Sequence, residues 1–254
     1  MNAWQLADSE EIQKAHYDKI ALAYEAHYND PCSQQYRDRF FHHPMFAGIK
    51  LAGLNVMEAM CGSGPTIQYL LSHGARVTGL DISAEAINSL LKQWPQCRAI
   101  CASLLDSKLE SNSFDSVVIV GGLHHLHPQV SAAVGEIHRI LKAGGYLCFV
   151  EPHKGAAPDW IRRRWYRRDP LFASNEAAID LEALKQEFSS GFEFKREIYR
   201  GNIAYLLVLN SMVFRLPLRL KPIYTPALLK LESLISPLQG KRLSCFVVCQ
   251  WQKK

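Results

Sequence analysis

The sequence predicts an α/β fold built on a doubly wound parallel sheet, and two stretches carry that expectation. Residues 54–71 open with the apolar run of a buried strand, break at Gly62 and Gly64, and resume with Ile67, Leu70 and Leu71 at helical spacing. Strand, tight glycine turn and helix form the first unit of such a sheet, in which ligands bind at the carboxyl ends of the strands. The run Val117-Val-Ile-Val120 is β-branched throughout, as a strand covered on both faces requires.

The residues around the glycine turn point to a ligand. A Cβ at the turn would oppose positive φ and keep a ligand from the backbone. Glu58 ends the first strand and aims a carboxylate into the same crevice. That charge repels a dinucleotide pyrophosphate, which argues against a nicotinamide dehydrogenase, and suits a ligand carrying a positive charge. Residues 76–83 read as the next strand, closed by Asp81 on the order of 20 residues past the turn, where a carboxylate accepts from both hydroxyls of a ribose.

Glu58-Ala-Met-Cys-Gly-Ser-Gly64 resembles the first motif of the class I S-adenosylmethionine-dependent methyltransferases. Three later stretches fit the same family in order: Asn112-Ser-Phe-Asp-Ser-Val-Val118, Gly121-Gly-Leu-His-His-Leu126 and Leu141-Lys-Ala-Gly-Gly-Tyr-Leu147. The Leu-His-His-Leu variant is similar to the small-molecule and lipid branch, the type 11-like methyltransferases, which includes quinone methyltransferases. The resemblance runs from about Tyr17 to Pro152. It implies S-adenosyl-L-methionine as cofactor and a Rossmann-like, doubly wound sheet of seven strands with the seventh antiparallel. It also implies cofactor contacts from Glu58, Cys61, Gly62, Gly64, Asp81, Ile82, Ser103, Leu104, Val120 and Gly121. An amino-terminal Tyr-Asp-x-Ile-Ala-x-x-Tyr element, matched by Tyr17, Asp18, Ile20, Ala21 and Tyr24, folds over the cofactor in that family.

Taken in order, residues 9–28 are helix-like, with an apolar and aromatic face that either packs on the core or brings Tyr17 and Tyr24 to the cofactor or substrate. Residues 31–47 read as a second short helix and turn. A helix over 84–94, stopped by Pro95, leads to a short third strand at 97–101. At its end the family commonly carries an Asp that accepts from the adenine amine. Here Ser103 stands instead, a neutral and shorter acceptor, with Asp106 as a possible substitute. Beyond the strand at 114–120 come His124, His125 and His127. Adjacent histidines tend to point apart and no cysteine or second carboxylate cluster lies near them, so no metal site is expected. A histidine beside a methyl-transfer crevice takes a proton near neutral pH, which makes His125, His124 and His153 the candidate bases, against packing as scaffold.

A helix over 130–141, a fifth strand at 146–150 with Glu151-Pro152-His153 at its tip, a helix over 176–188 and late strands at 191–200 and 243–251 complete the core. Residues 160–168 hold five arginines and three aromatics, a solvated basic face or a site for anionic groups. Residues 201–240 interrupt the last strand pair. Their helix is expected to bury Leu228, Leu231, Leu234, Ile235 and Leu238, closing with Tyr205-Leu-Leu-Val-Leu209 as a hydrophobic lid. The lid's rim of Arg215, Arg219, Lys221 and Lys230 could rest on an anionic membrane. The expected organisation is a helical cap (1–47), a cofactor-binding core (48–200), the lid insertion (201–240) and a last core strand (241–254).

Composition narrows the function. A chain of 254 residues with 48% apolar content buries one sizeable core and an added cap. Twenty-nine basic residues against 24 acidic ones do not describe a nucleic-acid binder. The first ten residues lack the pattern of a signal peptide, and no apolar stretch approaches the ~20 residues of a membrane span. Seven cysteines without a Cys-x-x-Cys pair read as reduced residues of a cytosolic protein. The expected activity is methyl transfer to an oxygen or nitrogen of a small, partly hydrophobic acceptor. Carbon methylation of a quinone-like ring and a non-catalytic cofactor-binding module are the alternatives.

Overall fold

The structure is a computed structural model that describes residues 26–166 and 177–254. Tyr17 and Tyr24 lie outside the described residues. Seven strands form one sheet: β1 (Asn55–Ala59), β2 (Arg76–Asp81), β3 (Arg98–Cys101), β4 (Phe114–Val120), β5 (Leu141–Glu151), β6 (Phe192–Arg200) and β7 (Phe246–Lys253). Their order is β3-β2-β1-β4-β5-β7-β6. The first five run parallel, and β7 is antiparallel to both β5 and β6. The chain winds outward from β1 in one direction to β3, then crosses back to β4. That reversal opens a crevice at the carboxyl ends of β1 and β4, where open α/β sheets take their ligands.

Alternation along the strands explains why both faces are covered. Val56, Val118, Cys148 and Val248 face one core with Ile67 and Leu70 of α2 (Ile67–Ser72) and Ile87 and Leu90 of α3 (Ala84–Gln93). Met57, Val117, Ile119 and Phe149 face the other, with Val134, Ile137 and Ile140 of α4 (Val130–Ile140). A period of two places successive apolar residues on opposite sides, so strands without polar gaps end between two helical layers. Before the sheet, Asp30 caps α1 (Pro31–Arg37) by accepting from the Cys32 and Ser33 amides, and a wider turn over Asp38–His42 followed by an α-helical turn over His43–Met45 continues it. Tyr36, Phe40, Phe41 and Met45 are buried there.

Two expectations about elements need adjustment. β5 starts at Leu141, so the Gly144-Gly145 turn lies inside the strand as an irregularity in its pairing with β4. The helix expected from residue 176 begins only at Leu181. Ile179 forms a bridge with His153, and Asp180 then caps α6 (Leu181–Glu187), α5 (Ala157–Tyr166) having come before it.

The lid departs furthest from expectation. Its helix α7 (Lys221–Ile235) buries Lys221, Thr225, Leu229 and Glu232. Leu234 and Leu238 are 67% and 86% exposed, Leu231 is exposed too, and Leu228 and Ile235 are half-buried. The helix is thus rotated about its axis from the orientation its leucines suggest. The polar residues explain the rotation. Lys221 Nζ donates to Asp30, to Ser33 and to the His27 carbonyl, and Glu232 accepts from the Tyr36 hydroxyl and the Tyr205 amide. Lys221 is therefore a buried strut of the cap and not part of the lid's basic rim. The Tyr205–Leu209 turn packs inward as expected, with Val208 and Leu209 buried.

Candidate active site

Glu58 is buried near the end of β1, opposite Gly79 of β2 and Val118 of β4. Its Oε1 accepts from the Thr66 amide at 3.2 Å, while Oε2 has no hydrogen-bond partner among the described residues. Burial pushes this carboxyl up to about 7, because desolvation of the charge outweighs the Thr66 hydrogen bonding and the nearby Arg37 that favour it. A buried acceptor left unsatisfied is costly unless something else completes it.

The chain leaves β1 through Met60 at φ 54 and Gly62 at φ 51, both left-handed. A Cβ built on Gly62 would meet nothing within 4 Å, so the turn faces open space. The Gly62 amide donates to Asp81 Oδ2 at 2.8 Å, and the Ser83 amide donates to Oδ1 at 2.9 Å. Asp81 thereby fixes the turn from the neighbouring strand. Each carboxylate oxygen accepts more than one hydrogen bond, so the same group retains capacity toward a ribose. Cys61 is buried behind the turn, where burial raises its thiol well above the usual range and keeps it neutral. Gly79 makes room for it: a Cβ there would stand 3.0 Å from Cys61 Sγ and 2.6 Å from Leu90 Cδ1. From the cap, Asn29 Nδ2 donates to Ser63 Oγ at 2.8 Å, a link to the glycine turn that the sequence motifs do not reveal.

Further along the crevice, Ile82 is half-buried after β2 and Leu104 is buried after β3. Ser103 Oγ accepts from the Leu105 amide and so caps its own turn. Asp106, the candidate substitute, pairs in solvent with Lys108 at 2.6 Å. Val120 ends β4, and the Gly121 amide donates to the Val150 carbonyl as the chain turns at φ 68.

The histidines separate into two places. His124 and His125 sit on the turn after Gly122 with ring centroids 3.8 Å apart. Glu151, fully buried at the end of β5, accepts from the Gly122 and Leu123 amides at 2.7 Å each and from the His124 amide at 3.3 Å. It also meets His124 Nδ1 at 2.8 Å. Burial pushes Glu151 up to about 7, while these amide bonds favour the ionised form and pull the other way. Paired with that carboxylate, His124 keeps its proton on Nδ1, which makes Nε2 the proton-accepting nitrogen. Sequence reasoning assigned Glu151 only to the strand tip and missed that it braces the whole turn.

His153 is elsewhere. It is buried, its Nε2 lies 2.8 Å from Ser244 Oγ, and its ring meets Tyr199 edge-on at 4.8 Å. Burial lowers its pKa. That environment, beside Tyr199 of β6 and the segment leading into β7, packs His153 among the described residues. Among the described residues no group of three His, Cys, Asp or Glu side chains is arranged to hold a metal ion.

Comparison with known proteins agrees with this geometry. Residues 57–149 match the methyltransferase domain family. Over 125 residues, 49% of the chain, it is 30% identical to an uncharacterized methyltransferase of Synechocystis sp., covering 58% of that protein. It is 29% identical over 147 residues, 53% of the chain, to phthiotriol/phenolphthiotriol dimycocerosates methyltransferase 1 of Mycobacterium ulcerans, of which 54% is covered. A fatty-acid O-methyltransferase of Mycolicibacterium smegmatis is 26% identical over 57% of the chain and 53% of its own length. The chain thus spans little more than half the length of the curated relatives it matches. Among solved structures, magnesium protoporphyrin IX methyltransferase from Synechocystis, with bound S-adenosylhomocysteine, superposes with a TM-score of 0.64 over 97% of this chain and 100% of its own. At 15% identity that likeness is one of fold. Domain match, strand order and motif positions agree with the resemblance to the class I S-adenosylmethionine-dependent methyltransferases.

Proposed function

We propose that this chain binds S-adenosylmethionine and transfers its methyl group to an oxygen or nitrogen of a small, partly hydrophobic, lipid-like acceptor. The observation that carries the reading is the cradle at the ends of β1 and β2: a glycine turn open to ligand, fixed by Asp81, beside the unsatisfied Oε2 of buried Glu58. These residues fit the cofactor chemically. Asp81 would accept from the ribose hydroxyls, Glu58 suits a cationic ligand, and Gly62 admits the ligand to the backbone. Val120, Gly121, Ile82 and Leu104 would line the apolar part of the site, with Ser103 near the base. When bound, the cofactor supplies an electrophilic methyl group on sulfonium sulfur.

The chain's own contribution is alignment, exclusion of water and proton acceptance. His124, held by Glu151, is the base we assign, with the His125 ring tilted beside it. A fatty-acid O-methyltransferase among the relatives supports an oxygen acceptor with an apolar body. The test is release of S-adenosylhomocysteine in the presence of long-chain carboxylic acids and phenolic lipids. His124→Gln is expected to lower the chemical rate by about 100-fold or more at unchanged cofactor affinity. Glu151→Gln is expected to lower it less and to shift the pH profile, since it leaves the imidazole in place but loosens its orientation. Cofactor binding without turnover on any such acceptor would favour the non-catalytic binding module.

A further inference from the structure

We propose that the outward face of α7 and the turns that follow it form a docking surface for an anionic lipid bilayer. On this helix Lys221, Thr225 and Glu232 point inward beside Leu229, and several large apolar side chains point out. Lys221 and Glu232 are 1% and 0% exposed, whereas Ile223, Leu234 and Leu238 are 75%, 67% and 86% exposed. Ile223, Ala227, Leu231, Leu234 and Leu238 recur every three or four residues, which sets them in one stripe along the solvent side, about 20 Å long at 1.5 Å per residue. The stripe continues in sequence to exposed Leu243. The Lys241–Leu243 turn packs against α5, which exposes Trp160 and Ile161. Isolated exposed leucines are ordinary, but a continuous stripe of them marks an interaction surface.

Charge identifies the occupant. From residue 201 to 243 the only acidic residue is Glu232, and it is buried against Tyr36 and Tyr205. The exposed charges of that segment are therefore basic, with Arg219 and Lys230 beside the stripe and Arg242 at its end. Arg163 and Arg164 on α5 add to them. Glu182, paired with Lys241 at 2.6 Å, is the acidic neighbour at the far end of the surface. An apolar stripe rimmed by cations, whose own segment exposes no carboxylate, is complementary to acyl chains beneath anionic headgroups. A second copy would bring the same cations face to face. No helix among the described residues is long and apolar enough to cross a membrane, so the contact is interfacial. The proposal goes beyond methyl transfer and stands without it.

The test is cosedimentation of the whole chain with vesicles of phosphatidylglycerol and phosphatidylcholine, and with phosphatidylcholine alone. Binding is expected to the anionic vesicles and to be about tenfold weaker or more on the neutral ones, falling further as salt is raised. Leu234→Asp combined with Leu238→Asp alters only exposed positions and is expected to weaken binding about tenfold or more. Lys230→Glu with Arg242→Glu is expected to remove the preference for anionic lipid. S-adenosylmethionine binding measured on the same variants is expected to match the unmodified chain, which reports that each is folded. Failure to sediment with anionic vesicles overturns the proposal. So does sedimentation that ignores the Leu234 and Leu238 substitutions, or a dimer in solution that those substitutions dissolve.

Discussion

The carboxyl end of the sheet and the segment expected to form the lid obey opposite rules. At the ends of β1 and β2 the apolar residues point into the core, and the polar residues Glu58 and Asp81 flank the glycine turn. In the lid helix Lys221 and Glu232 point inward, while Ile223, Leu234 and Leu238 face outward. The difference lies in what each polar group meets. Glu58 Oε2 has no partner among the described residues, the mark of a group placed for something the chain does not supply. Lys221 and Glu232 have partners from α1 and its cap, so they are fastenings. A buried polar residue therefore marks function in one region and attachment in the other, and satisfaction of its hydrogen bonds separates the two.

The sharpest way to break the comparison is at Gly62. Gly62→Val demands a β-branched residue at φ 51 and fills the open side of the turn, so S-adenosylmethionine binding is expected to vanish in calorimetry. Within the lid, the same substitution on two faces of α7 gives the next largest contrast. Leu229→Asp buries an unpaired charge and should cost about 3–5 kcal/mol in urea unfolding. Leu234→Asp should stay within about 0.5 kcal/mol, because that position is already in solvent. Equal costs would mean the helix is turned the other way.

A smaller effect follows from pH. Glu58 is raised from 4.5 to about 7 in the folded protein, so folding favours its protonated form. Its contribution to stability is complete below about pH 4.5 and is lost as pH rises through about 7, where the charged form costs roughly 3 kcal/mol. Glu58→Gln should therefore gain stability over the unmodified protein between pH 5 and pH 8 when neither carries ligand. Glu151 follows the same direction and is present in both, so it cancels from the difference. Parallel stability curves for the two proteins would remove Glu58 from this role.

What was legible in the sequence was local. The β-branched run at Val117–Val120, the glycine turn and the spacing to Asp81 each lie within a single strand–turn–helix unit, where neighbours in sequence are neighbours in space. The features missed depend on residues far apart. Glu151 reaches His124 from the next strand, and that pairing is fixed by the register of β4 with β5. Lys221 finds Asp30, and Glu232 finds Tyr36, across most of the chain. Periodicity placed the lid helix over Ala227–Leu238, overlapping the observed Lys221–Ile235 but starting six residues late, and did not fix which side the rest of the protein would lie on. The leucines suggested one side, and two satisfied polar groups decided for the other. His153 stands apart from His124 and His125 for a similar reason: its partner Ser244 comes from the segment leading into β7, far away in sequence.

The central claim is that the turn held by Asp81 is the seat of the cofactor, and titration calorimetry of S-adenosylmethionine into the unmodified chain and Asp81→Ala tests it most directly. The account predicts micromolar-range binding to the unmodified chain and no measurable binding of NAD. It predicts that Asp81→Ala weakens S-adenosylmethionine by roughly 1.5–3 kcal/mol, through lost charge-assisted bonds to the ribose and a loosened Gly62 amide. Identical affinity in the two proteins, or a preference for NAD, would contradict it.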